Sequence, residues 1–140
     1  MNLTYKIGML ALLLSVWGCQ QEEEFKILED NMIVGNWVNP QMVSDTLWQY
    51  DRATALVPSD YCFSFQSDLK FVERKNSGWC GTPPVAYGDF EGTWSQNDST
   101  LNINVGFWGG DVDYKWRIIS LDENKLTIYK VKEDYHYEEY

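Results

Sequence analysis

Leu101-Asn102-Ile103-Asn104-Val105-Gly106-Phe107-Trp108-Gly109-Gly110-Asp111-Val112-Asp113-Tyr114-Lys115-Trp116-Arg117-Ile118 decides the fold. Leu101, Ile103, Val105 and Phe107 recur with a period of two, which puts them on one side of a pleated strand. Gly109-Gly110-Asp111 supplies a turn. Val112, Tyr114, Trp116 and Ile118 then resume the alternation, opposed by Asp113, Lys115 and Arg117. One apolar face and one polar face describe antiparallel strands with a core on one side and water on the other.

The same pattern extends outward in both directions. Tyr61, Phe63 and Phe65 share a face, as do Leu69 and Phe71, then Phe90, Gly92 and Trp94, and finally Leu126 and Ile128. Strands are predicted near 34–39, 46–52, 61–66, 69–75, 85–95, 99–106, 112–120 and 124–131. Gln66-Ser67-Asp68, Gln96-Asn97-Asp98 and Asp122-Glu123-Asn124 mark further turns. The fold class is therefore all-β: an antiparallel up-and-down barrel of about eight strands, closed so that no edge is exposed. A two-sheet sandwich competes, and periodicity alone does not separate the two. The domain spans 32–132, and 133–140 reads as an acidic, tyrosine-rich tail or an extension of the last strand.

The start of the chain carries an address. Lys6, the apolar run Ile7–Trp17 and Gly18-Cys19 resemble a bacterial lipoprotein signal, too short to span a membrane. The resemblance implies that residues 1–18 are removed and that Cys19 is acylated, giving a membrane anchor. Residues 19–31 then form an acidic tether, with Phe25, Ile27 and Leu28 hinting at a helical turn. Gln20-Gln21-Glu22-Glu23-Glu24 resembles the surface-export signal of Bacteroidetes lipoproteins, or is simply a charged spacer. Asp45-Thr46-Leu47 and Asp98-Ser99-Thr100 resemble that group's O-glycosylation tripeptide. The expected location is the outer membrane, with surface exposure as the finer reading.

Removal of residues 1–18 from the 140 leaves 122, enough for one domain, and loss of Lys6 takes the formal charge from −10 to −11. Such a balance argues against nucleic acid as a partner. Cys62 and Cys80 remain after Cys19, and an oxidising compartment makes a disulfide between them the default. Separate thiols are the alternative. A metal site is not expected, because the one histidine, His136, lies at the far end of the chain.

Gly35-Asn36-Trp37, opening the first strand, resembles the Gly-x-Trp motif of lipocalins, and Gly92-Thr93-Trp94 repeats the triplet. Over roughly 30–132 the chain is similar to the small lipocalin-like domains of Bacteroidetes lipoproteins. The resemblance implies that Gly35 permits a tight start to the first strand and that Trp37 plugs the closed end of the barrel. It also implies a late-strand arginine stacked on that tryptophan, and Arg117 is the late-strand arginine present.

Catalytic and cofactor motifs are missing: there is no Gly-x-Ser-x-Gly, Cys-x-x-Cys or His-x-x-x-His. The acidic pairs Asp111/Asp113, Asp89/Glu91 and Glu133/Asp134 read as solvated faces. Calcium at Asp111 and Asp113 beside Gly109-Gly110 lacks the oxygen count and the EF-hand pattern. The remaining signal is aromatic: Trp48, Trp79 and Trp108 sit at strand ends or in loops, where they either cover the core or bind a target. The expectation is a binding or interaction module, not an enzyme, with no cofactor. It would carry a small apolar ligand inside the barrel, or else engage a glycan or an envelope protein through its loops with the interior filled.

Overall fold

A computed structural model describes residues 31–139. The signal, Cys19 and the helical turn expected in the tether lie outside these residues. Eight strands form one closed barrel: β1 Gly35–Met42, β2 Leu47–Ala53, β3 Cys62–Phe65, β4 Lys70–Asn76, β5 Tyr87–Asn97, β6 Thr100–Phe107, β7 Gly110–Leu121 and β8 Lys125–Tyr137. All neighbouring strands are antiparallel. Closure decides against the sandwich.

Strands β3 to β8 follow one another around the wall, but β1 lies between β2 and β3. The link 54–61 must therefore run from the end of β2 back across β1. It passes on the outside, because Arg74 Nη1, on the outer face of β4, donates to the carbonyl of Val57 at 2.9 Å. β8 continues to Tyr137, so the chain beyond 132 is an extension of the last strand through most of its length. A bulge at Val131, between the Trp116–Lys130 and Lys115–Lys132 pairs, reverses which residues face inward. Leu126, Ile128 and Lys130 point in before it; Glu133, Tyr135 and Tyr137 do so after it.

The interior is filled by rings. Phe63 on β3 and Trp116 on β7 stand on opposite sides of the barrel, yet their centroids are 5.3 Å apart. Phe63 also meets Tyr50 at 4.7 Å, Phe65 at 5.5 Å and Phe71 at 5.8 Å, while Phe65 meets Trp94 at 5.1 Å. An eight-stranded barrel is just wide enough for such filling.

One end is closed by the first residues of β1. Gly35 has φ 140°, and a Cβ there would lie 2.5 Å from Nη1 of Arg52. Trp37 is fully buried, and its indole Nε1 donates to the carbonyl of Ile33 at 2.8 Å. The cation over its ring is Arg52, with Cζ 4.3 Å from the centroid. That corrects the assignment to Arg117, which alternates with Trp116 and Ile118 and so points to solvent. Arg52 shares the inner face of β2 with Tyr50. Its guanidinium also binds the carbonyls of Val34 (2.8 Å), Glu123 (2.7 Å) and Met32, stitching the start of β1 to the β7–β8 turn. The second Gly-x-Trp serves the same end. Trp94 Nε1 donates to the carbonyl of Gln66 at 3.0 Å, and a Cβ on Gly92 would meet Asn104 O at 2.0 Å, so β5 and β6 cross there too closely for a side chain.

The expected disulfide is absent: Cys62 and Cys80 are both free thiols. Cys62 alternates with Phe63 and faces outward beneath link 54–61, its Sγ 3.7 Å from the carbonyl of Val57 and 3.6 Å from that of Asp60. Cys80 is exposed on the β4–β5 loop, so the covered position of Cys62 separates the pair.

The cap yields a contrast between two arginines. We expect Arg52→Ala to lower stability by about 2 kcal/mol, through loss of the cation–π contact and charge-assisted hydrogen bonds. Arg117→Ala should change it by less than about 0.5 kcal/mol. Urea denaturation of both variants measures this; equal effects would contradict the assignment.

Candidate functional site

The opposite end of the barrel gathers the loop 43–46, the loop 77–86, the turn 108–109 and the end of β8. It is the aromatic end. Trp79 is 80% exposed and Trp108 48% exposed; Met42, Val43, Tyr135 and Tyr137 are exposed beside the same loops. Phe107 anchors the β6–β7–β8 side, with edge-on contacts to Trp108 (5.7 Å), Tyr135 (5.3 Å) and Tyr137 (5.3 Å). Trp48 is not in a loop. It lies within β2, half-buried against the core, with Lys130 Nζ 5.0 Å from its ring. The three tryptophans singled out from sequence thus share one end, two as exposed rings and one as part of the inner wall.

Beneath this rim lies a polar layer that the sequence reading did not identify. Phe71 points into the core, so the period of two carries Glu73 and Lys75 inward behind it. Glu73 is 1% exposed. Its carboxylate accepts from Tyr61 Oη at 2.5 Å and from Tyr114 Oη at 3.2 Å, and it is paired with Lys75 Nζ at 2.5 Å. Lys75 Nζ also lies 5.4 Å from the ring of Phe90 and 5.6 Å from that of Tyr114. Tyr114 comes from β7 and Glu73 from β4, so the network spans the interior. Lys130 and Glu133 add a second inward ion pair at 3.6 Å.

Burial of such groups has electrostatic consequences. Desolvation first, and the Glu73 charge second, push the Tyr50, Tyr61 and Tyr114 phenols well above the usual tyrosine range. Tyr50 Oη and Trp116 Nε1 are buried without a hydrogen-bond partner among the described residues. Burial likewise raises the Cys62 thiol, whereas hydrogen bonds from Thr82 lower that of exposed Cys80.

The acidic pairs fall outside this network, apart from Glu133. Asp89 is held by Arg74 on the outer wall, at 2.6 and 2.8 Å. Asp111 and Asp113 also lie on the outer wall, where they converge with His136. Two shallow depressions on the same wall are lined mainly by polar side chains of β5 to β8, among them Asn102, Lys115 and Arg117. Trp37, Gly35 and Arg117 take no part in the open end.

In comparison with known protein families, residues 33–128 match the family described as a lipocalin-like domain. No curated protein and no solved structure matches the chain.

The buried phenols yield a pH prediction. Below pH 10 they are protonated in both folded and unfolded chains. Above it the unfolded chain ionises first, so the folded state loses stability as pH rises, by up to ~1.4 kcal/mol per unit for each phenol. Spectrophotometric titration should leave Tyr50, Tyr61 and Tyr114 un-ionised at about pH 11, until unfolding releases them. Ionisation of every tyrosine near pH 10 with the fold intact would contradict this.

Proposed function

From the premise that this chain belongs to the lipocalin-like domain family, we propose that it is a lipid-anchored, extracytoplasmic binding module that takes its target at the open end of the barrel. The observation that carries this reading is Glu73. A fully buried carboxylate is retained, bound by Tyr61, Tyr114 and Lys75, below a rim of exposed rings. Flat apolar faces above a few fixed polar groups are the usual makeup of a small-ligand site.

The chemistry of the target follows from what the barrel leaves available. Phe63 and Trp116 meet across the axis, and the Glu73 network crosses it nearer the rim. A long apolar chain has no course between them. A saccharide suits the end better, since its C–H face can lie on Trp79 or Trp108 and its hydroxyls can pair with polar neighbours. This favours the filled-barrel alternative over the carrier of an apolar ligand.

The anchor fits the same geometry. β1 begins at the closed end, so a chain tethered through Cys19 is joined to the barrel at the end opposite the rim. Eleven residues lie between Cys19 and Asn31, a reach of at most about 40 Å. The acidic run Gln20–Glu24 favours display on the outer membrane's external surface.

Native mass spectrometry of the protein incubated with envelope polysaccharide tests the proposal. We expect a retained oligosaccharide, with Trp79→Ala and Trp108→Ala each weakening binding about tenfold. Thermal stability should change by less than about 1 kcal/mol in both. A retained apolar mass, or sugar binding indifferent to both substitutions, would overturn the reading.

A further inference from the structure

We propose that the outer wall near the open end carries a site for a divalent transition-metal ion, formed by Asp111, Asp113 and His136. Nothing in the rim or in the Glu73 network requires it. β7 places Asp111 and Asp113 two residues apart and so on one face. β8 sets His136 directly opposite Asp111, and Asp134 opposite Asp113. The result is a two-by-two block of side chains on the solvent side of the sheet. One donor atom each from Asp111, Asp113 and His136 lie within 4.8 Å of one another. Nε2 of His136 is 3.0 Å from Oδ2 of Asp113.

Asn104 completes the setting. It stands opposite Asp113 on β6, and its amide donates to Oδ2 of Asp111 at 2.8 Å and to Oδ1 of Asp113 at 2.9 Å. The amide thereby bridges the two carboxylates from the β6 side and holds them next to each other. The fourth corner, Asp134, is drawn aside by Lys132.

A divalent cation between Asp111, Asp113 and His136 would cross-link β7 to the extension of β8. Metal–ligand bonds of about 2.0–2.2 Å put donors about 3.4 Å apart, a contraction that small side-chain rotations supply at this exposed position. The donor set selects the ion. Calcium and magnesium take oxygen shells and gain little from an imidazole, whereas one nitrogen with two carboxylates suits zinc, cobalt, nickel or copper.

The chain has a single histidine, so its imidazole reports the site directly. The full chain, made without a histidine tag, would be titrated with Zn²⁺ by calorimetry and followed by NMR of the imidazole. We expect one ion per chain to perturb the His136 resonances, and Co²⁺ to broaden them. His136→Gln and Asp113→Asn should each weaken binding at least about tenfold, with amide spectra reporting the fold intact. Ca²⁺ at the same concentration should leave the imidazole unmoved. No binding, binding unchanged in both variants, or an equal response to Ca²⁺ would overturn the proposal.

Discussion

The contact between Phe63 and Trp116 across the axis sets what this barrel can be. Closing eight strands fixes a narrow interior, and here rings from opposite walls touch at its centre. The two ends then differ by what remains to be covered. At one, Trp37 and Trp94 donate their indoles to backbone carbonyls and Arg52 seals the first turn of chain. At the other, the core gives way to charged and phenolic groups, and rings project beyond them into solvent.

The polar layer is not an economical way to stabilise a fold. A buried ion pair loses hydration on both charges, and well-packed apolar residues of similar volume often serve as well or better. Glu73 and Lys75 are tolerated because Tyr61 and Tyr114 supply the remaining hydrogen bonds. What such a layer offers is directional polarity under an aromatic rim. That is the physical basis for assigning recognition to this end and structural closure to the other.

Much of the fold was legible because alternation is a local property. The hairpin from Leu101 to Ile118 forms as its period of two requires, and Leu101 pairs with Trp116 as facing core residues. Neighbour order was less accessible: nothing in 54–61 reveals that it crosses outside β1. The C-terminal extension was obscured by the bulge at Val131, which inverts the alternation midway through β8. Arg117 was misplaced by looking for a late-strand arginine, although its alternation with Trp116 already set it on the polar face. The disulfide was inferred from compartment and cysteine number, neither of which constrains the direction of a side chain. Glu73 and Lys75 could have been found by extending the face of Phe71 two steps further. A charged residue on an apolar face was the signal.

Recognition at the open end depends most on the interior being occupied along the axis. Its direct test is titration of the protein with a fluorescent long-chain fatty acid, following both probe emission and tryptophan quenching. A filled barrel shows no saturable, stoichiometric uptake. One probe bound per chain, with the blue-shifted emission of a buried fluorophore, would contradict it and restore the barrel as a carrier.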